Sequence, residues 1–278
     1  MAEDIKLVVC DLDGTLLNDR KEITPYTGEI LKKVQQKGVS VCLASGRDEQ
    51  MMSIYEYGIG GCEYILSNNG ALLKDRQGEI LYSAMMEEAD AAKILTYLNE
   101  HDMTFMMYTA DRMYFSEGSE RLKKRITDYE KLSRELGHDI RLAAAEFLRS
   151  GPVTGYGDIV KIVAYEEDEA RMLPYTEFLE TLPDVHNETT GYGLKGAFHR
   201  SVSKRAALYK VMEHMGIGKE SVCVFGDYDN DLSMFECADH RICMENGVEA
   251  LKQAATYVTK NNNEDGVAVY LARVLGIK

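Results

Sequence analysis

The stretch "VVCDLDGTLLN", Val8 to Asn18, decides how the rest of this chain is read. Together with Ile5–Leu7 it opens as an apolar run with little alternation, the pattern of a strand buried on both faces of a parallel sheet. The run ends in two aspartates one residue apart, Asp11 and Asp13, followed by Gly14. Residues i and i+2 of an extended segment point the same way, so the two carboxylates are expected to face one pocket.

The same grammar recurs. "VSVCLA" (39–44) runs into Ser45, Gly46 and Arg47, and "EYILS" (63–67) runs into Asn68, Asn69 and Gly70. "SVCVFG" (221–226) runs into Asp227, with Asn230 and Asp231 shortly after. Thr24-Pro25 supplies an N-cap and a first-turn proline for a helix, and Ser203-Lys204 opens another. Strand and helix alternate at both ends of the chain, which implies a parallel α/β sheet. Between them the texture changes to hairpins, about Gln77-Gly78 and Ala110-Asp111, with intervening helices. The expected architecture is α/β: a core with a Rossmann-like parallel sheet, residues 1–82 and 195–278, and an inserted α+β cap, residues 83–194. Gly191 and Gly193 suit its exit.

Bulk properties narrow the partners. The 278 residues carry a formal net charge of -14 with no useful basic run, so binding to nucleic acid or an anionic membrane surface is not expected. No apolar stretch approaches the ~20 residues of a membrane helix. The six cysteines include no C-x-x-C pair, and several lie in apolar runs, which fits packing in a reducing compartment. The opening "MAEDIK" lacks a signal peptide's apolar core, so a cytoplasmic location is expected.

In an open parallel sheet, ligands bind beyond the carboxyl ends of the strands, where all these polar clusters fall. Asp11, Asp13 and Asp227 together would be three carboxylates at close range, and unrelieved repulsion would push protons onto some of them. A hard divalent cation relieves it, and all-oxygen ligation suits Mg²⁺. Asp11 would then stay ionised and able to attack an electrophile, while Asp13 could move a proton. Gly14 frees backbone N–H groups for an anion nest, Ser45 offers a hydroxyl and Lys204 a compact positive charge, which together point to phosphate. Singly, each has a plain structural reading: D-x-D, Ser45-Gly46 and Asn68-Asn69-Gly70 as turns, Lys204 as a solvated lysine. "GDYDND" (226–231) could be an acidic loop or a partial calcium loop, although the glutamate expected near its end is missing. Jointly, at strand ends and in this order, the plain readings would all have to coincide.

The residues resemble a family. "DLDGTLL", "LASGR", "SVSKRAAL" and "FGDYDNDLSMF" are similar, in order, to the four motifs of the haloacid dehalogenase-like phosphatases, with Ser45 for the commoner threonine. "MENGVEALKQAATYVT" and "NNNEDGVA" resemble the tail of their Cof-type branch, which carries a large α+β cap after the third core strand. The resemblance implies an aspartyl-phosphate on Asp11, with Asp13 as general acid and then base. It implies a Mg²⁺ site on the carboxylates of Asp11 and Asp227 and the backbone carbonyl of Asp13, with Asp231 acting through water. Ser45 and Lys204 would hold phosphoryl oxygens, with Gly14, Gly46 and Asn230 in the same phosphate site and Arg47 and Asn69 toward the substrate. Arg205 stands where that branch has glycine, and Tyr228 where a small residue is usual.

The implied activity is a Mg²⁺-dependent phosphatase acting on small phosphorylated metabolites, sugar phosphates above all. A phosphomutase or phosphotransferase on the same core, and a non-enzymatic phospho-aspartate switch, remain as alternatives; the cap argues against the switch. Lys195, in "LKG", is a second candidate for the third-motif lysine. Leaving-group contacts are expected from "TFMMYTADRMYFS" (104–116) and "TTGYGLKG" (189–196).

Overall fold

The structure, a computed structural model, describes residues 5–189 and 193–278. The chain divides into two compact units, one ending at Ser83 and resuming at Ser203, the other running from Ala84 to Val202. In chain order the first unit begins with β1 (Leu7–Cys10), α1 (Pro25–Gln36), β2 (Ser40–Ala44), α2 (Glu49–Ile59), β3 (Tyr64–Ser67), β4 (Leu72–Asp75) and β5 (Ile80–Ser83). The second unit holds α3 (Glu88–Glu100), β6 (Thr104–Thr109), β7 (Met113–Ser116), α4 (Glu120–Glu135), β8 (Ala144–Phe147), β9 (Ile159–Tyr165), α5 (Glu169–Glu180), β10 (Val185–Thr189) and β11 (Leu194–His199). The first unit resumes with α6 (Lys204–Met215), β12 (Val222–Gly226), α7 (Leu232–Phe235), β13 (His240–Cys243), α8 (Glu249–Ala254), β14 (Tyr257–Val258) and α9 (Gly266–Val274).

The first unit is built on an eight-stranded sheet in the order β14-β13-β12-β1-β2-β3-β4-β5. Strands β14 through β3 are mutually parallel, and β4 and β5 continue as an antiparallel meander. Every residue of β1 is buried, as its unbroken apolar run requires. Leu7 and Val9 share a core with Val222 and Val224 of β12 and with Ala207, Leu208 and Val211 of α6. Each of these leucine and valine side chains, fully buried, contributes about 1.5–3 kcal/mol. Helix α1 starts where Thr24 accepts a hydrogen bond from the Thr27 N–H at 3.1 Å, with Pro25 in the first turn. It buries Ile30, Leu31 and Val34 and packs on α2 and α9.

The chain leaves β1 toward β2 and β3 on one side and returns through β12 toward β13 on the other. This is a topological switch point, where a crevice opens beyond the strand ends. Cys10 is paired with Leu43 of β2 and Phe225 of β12, so Asp11, Ser45 and Asp227 emerge at one level.

The second unit has a six-stranded sheet in the order β10-β11-β9-β6-β7-β8, antiparallel except for β7 with β8. Helices α3 and α5 supply Ile94, Leu95, Leu98, Tyr175 and Leu179 to a core with Phe105, Met107, Ile162 and Ala197. Residues 195–202, expected with the core, belong to this unit. "LKGAFH" gives little strand signal, yet β11 pairs with β9 and β10 along both edges. Of the expected cap exit, Gly191 lies outside the described residues, as do Thr190 and Tyr192 of the 189–196 segment. Among the described residues, no helix is long and apolar enough to cross a membrane, and all six cysteines are free and buried.

Candidate active site

Asp11 directly follows β1 and is 6% exposed. Its N–H donates to the Phe225 carbonyl at 3.2 Å, which extends the β1–β12 ladder to the aspartate itself. Lys204, the first residue of α6, is 1% exposed, and its Nζ donates to Asp11 Oδ1 and Asp231 Oδ1, both at 2.7 Å. Ser203 caps α6 by accepting from the Ala206 N–H at 3.1 Å, which fixes where Lys204 enters. The second oxygen of Asp231 accepts the N–H groups of Asp227 and Tyr228 at 2.9 and 3.2 Å and so holds the loop after β12. Thr15 Oγ1 donates to Asp227 Oδ1 at 2.7 Å. Asp11, Asp227 and Asp231 each bring a carboxylate oxygen within 4.8 Å of the others.

Gly14 lies between these groups with φ +83°, and a Cβ there would sit 2.3 Å from Asp227 Oδ2. Only glycine accepts both the left-handed backbone and the close approach.

The crowding shows in the proton affinities. Burial raises the Asp11 carboxyl well above its ordinary value; Lys204 opposes this, and Asp231 and Asp227 add to it. Burial, with repulsion from Asp231, lifts Asp227 to about 6 against the hydrogen bond from Thr15. For Lys204, burial works against the charge, but Asp11 and Asp231 outweigh it and raise the ammonium's pKa.

Asp13 sits in the opposite surroundings. Arg47 grips its carboxylate with two prongs, Nε to Oδ2 at 2.7 Å and Nη2 to Oδ1 at 2.8 Å, and Lys21 Nζ donates to Oδ1 at 2.8 Å. The third guanidinium nitrogen, Nη1, donates to Tyr55 Oη at 3.1 Å. Burial pushes Asp13 upward, but Arg47 and Lys21 overcome it and hold the carboxyl below the usual carboxylate range.

Ser45, at the end of β2, is 2% exposed, and its Oγ accepts from the Arg47 N–H at 3.2 Å. The turn after β3 docks on the same loop: the Asn68 N–H donates to the Arg47 carbonyl at 2.8 Å and the Asn69 N–H to the Ser45 carbonyl at 3.0 Å. Asn68, Asn69 and Gly70 are all left-handed, with φ +52°, +57° and +94°. The turn is therefore both the β3–β4 hairpin connection and a wall of the site. Asn69 Oδ1 accepts from Asn230 Nδ2 at 3.4 Å, and a Cβ on Gly46 would lie 2.9 Å from that same oxygen.

The structure thus brings together Asp11, Gly14, Lys204, Asp227 and Asp231 as one cluster, with Asp13 and Arg47 adjoining it. Ser45, Gly46, Asn69 and Asn230 form the neighbouring wall. Lys195 is on β11 of the other unit, where its Nζ donates to Asn187 Oδ1 at 3.4 Å; the lysine bonded to Asp11 and Asp231 is Lys204. Arg205 pairs with Glu236 at 2.5 Å on the surface. Tyr228 is 56% exposed beside Asp227. Sequence reasoning missed Thr15, Lys21 and Tyr55. Thr15 was findable, because a hydroxyl directly after the glycine of a D-x-D-G turn is well placed to donate to a carboxylate. Lys21 and Tyr55 carry no local signal.

The likeness to known proteins extends over the whole chain. A family model for haloacid dehalogenase-like hydrolases matches residues 8–271. The 5-amino-6-(5-phospho-D-ribitylamino)uracil phosphatase YitU of Bacillus subtilis is 30% identical over 278 residues, covering 95% of this chain and 96% of its own. YwtE of the same organism, a phosphatase of the same name, is 28% identical, with 98% of each chain covered. A solved haloacid dehalogenase-like hydrolase from Bacteroides thetaiotaomicron superposes with a TM-score of 0.84 at 25% identity, covering 97% of this chain and 99% of its own. The chain belongs to the haloacid dehalogenase-like hydrolases, in their Cof-type phosphatase branch.

Proposed function

We propose that this phosphatase is Mg²⁺-dependent, acts on small phosphorylated metabolites of the sugar-phosphate kind and works through an aspartyl-phosphate on Asp11. The observation that carries the reading is the contrast between the two aspartates of one strand end. Asp11 is buried against a lysine and two further carboxylates, while Asp13, two residues on, is held by a guanidinium. One is built to stay at a charged centre, the other to exchange a proton.

The donor set fits Mg²⁺. Three carboxylates meet one buried ammonium, so negative charge is left over, and every donor is a hard oxygen. Asp11 and Asp227 would hold the ion together with the Asp13 carbonyl, and Asp231 would support it. When bound, the ion neutralises the carboxylates and draws the phosphoryl oxygens toward the nucleophile.

In the first half-reaction an Asp11 oxygen forms a bond to phosphorus and the ester P–O bond breaks. Its electron pair leaves with the alcohol oxygen, which takes a proton from Asp13. In the second half, Asp13 removes a proton from water, the water oxygen bonds to phosphorus and the aspartyl P–O bond breaks, returning Asp11 and releasing phosphate. Lys204, Ser45 and backbone N–H groups around Gly14 hold the phosphoryl oxygens, with Asn230 and Asn69 supporting that wall. Arg47 orients Asp13 at the substrate side.

Two of the curated relatives already described, and a third, YcsE, are named for a phosphoribitylamino-uracil, a sugar-alcohol phosphate. That compound is the first to assay, followed by a panel of sugar phosphates ranked by kcat/KM. The buried, free cysteines support a reducing, cytoplasmic setting.

The test uses p-nitrophenyl phosphate with Mg²⁺. Phosphate release is expected, and EDTA should abolish it. Asp11→Asn should be inert and should leave no acid-stable phosphoryl adduct on the peptide containing residue 11. Substantial turnover by that variant would sink the nucleophile assignment, and isomerised rather than dephosphorylated sugar phosphate would mark a mutase.

A further inference from the structure

The loop that carries Asp13 and Gly14 is tied down by two asparagines from the far end of the chain. Asn246 Nδ2 donates to the Gly14 carbonyl at 2.8 Å, and its Oδ1 accepts the Asn262 N–H at 3.0 Å. Both ends of that amide are engaged, so its orientation is set by its partners. Asn262 is 7% exposed and its Nδ2 donates to the Leu17 carbonyl at 2.9 Å and to Asp19 Oδ1 at 3.3 Å. Next to it, Asn263 Oδ1 accepts the Asp19 N–H at 3.0 Å.

These contacts fall where the loop needs help. Within itself, the loop satisfies N–H groups: Thr15 and Leu17 donate to the Leu12 carbonyl at 3.3 and 2.8 Å, and Leu16 to the Asp11 carbonyl at 3.2 Å. The Gly14 carbonyl is then met by Asn246 and the Leu17 carbonyl by Asn262. Gly14 has no Cβ to limit its backbone, so a hydrogen bond to its carbonyl is what sets the angle between the Asp13 and Thr15 peptides. A change there would move Asp13 on one side and, through the 2.7 Å Thr15 contact, Asp227 on the other. The same segment is tied to Asp227 directly, since the Val248 N–H donates to the Asp227 carbonyl at 2.8 Å.

We propose that Asn246 and Asn262 form a clamp that positions the catalytic loop, acting on the reaction through Gly14 and Leu17 without touching substrate. The inference rests on the phosphatase reading for its kinetic part only. Groups that orient a site's ligands are worth roughly 10- to 100-fold in activity, and misplacing a reacting group by about an ångström has an effect of similar size.

The test compares Asn246→Ala, Asn246→Asp and Asn262→Ala with wild type, using Gln35→Ala as control. Gln35 makes an equivalent side-chain bond, to the Ile59 carbonyl at 2.8 Å. Asn246 is exposed, so its variants fold even if the buried Asn262 tolerates change poorly. Asn246→Asp keeps the acceptor for Asn262 but turns an oxygen toward the Gly14 carbonyl. Both Asn246 variants should lose kcat on p-nitrophenyl phosphate by about tenfold or more with KM within about twofold, and Gln35→Ala should not. Hydrogen–deuterium exchange should accelerate in the peptide spanning 12–19 and not in β12. A kcat within twofold of wild type, or exchange that rises across the whole unit, overturns the clamp. A wild-type protein without turnover would sink the phosphatase reading instead, and the exchange measurement, which needs no turnover, would still decide whether the loop depends on the asparagines.

Discussion

Replacing Lys204 with methionine removes the one ammonium between Asp11 and Asp231 while keeping most of the side-chain volume. Both contacts are 2.7 Å and all three side chains are at most 8% exposed. Breaking a buried ion pair from one side strands the remaining charge and costs about 3–5 kcal/mol. Here the loss should be smaller at low pH, because burial already raises the Asp11 carboxyl and loss of the ammonium raises it further. The sign follows from linkage: an acid whose folded pKa lies above its unfolded value stabilises the protein below the unfolded value, and that stabilisation is lost as pH rises through the folded one. Each pH unit over which only the folded state keeps the proton removes about 1.4 kcal/mol. Urea unfolding of Lys204→Met should therefore show a modest deficit at pH 5 and about 3 kcal/mol at pH 8. Two manipulations should restore stability. Adding Asp11→Asn removes the stranded charge, and Mg²⁺ at a hundredfold excess over its Kd contributes about 2.7 kcal/mol. A variant as stable as wild type at pH 8, or a double variant no more stable than Lys204→Met alone, would refute the account of this cluster.

Two further outcomes follow from the same electrostatics. Because Asp227 is lifted to about 6 and burial raises Asp11 as well, and both must be ionised to bind a cation, Mg²⁺ affinity should fall by roughly tenfold per unit or more as pH drops below about 6. Calorimetric titrations at pH 5 and 7.5 should show this together with proton release, and a pH-independent Kd would contradict it. Arg47→Ala removes the cation that most depresses Asp13, so the Asp13 carboxyl should titrate at higher pH when followed by carboxyl-carbon NMR; an unmoved titration would show that Arg47 does not hold it ionised.

The sequence carried the fold of the core because its central strands, β1, β2, β3 and β12, are buried along almost their whole length, and strands buried on both faces read as apolar runs. It carried the carboxylates and Lys204 because strand ends in a parallel sheet share one rim. What it could not show was pairing across elements. Arg47 reads as facing the substrate from its place after Ser45-Gly46, and nothing in that stretch shows that its guanidinium also holds Asp13 and Tyr55. Lys195 and Lys204 were both admissible third-motif lysines, and the bonds of Lys204 Nζ to Asp11 and Asp231, which no local pattern announces, are what mark Lys204. Asn246 and Asn262 stood in tail motifs with no chemistry of their own, because their partners are backbone carbonyls, which leave no trace in a side-chain pattern.

The two aspartates of "VVCDLDGTLLN" show why such pairing decides function. Both leave the same strand end, and nothing in their spacing distinguishes them. Asp11 is placed by the ladder itself, its N–H bonded to β12, so its carboxylate must enter the buried cluster with Asp227 and Asp231. Asp13 lies past the last ladder bond, on a loop shaped by Gly14, and turns toward Arg47 and Lys21. Backbone position therefore sorts them before any electrostatics act: one carboxylate goes where charge accumulates, the other where positive groups hold it ionised. In this form Asp13 is ready to accept a proton, the state that the proposed hydrolytic half-reaction would need. To donate one in the proposed first half it would have to give up part of its hold on Arg47 and Lys21, two cations that an incoming phosphate dianion would also attract. The same contacts that keep Asp13 ionised are thus the ones a phosphate substrate would loosen under the proposed mechanism.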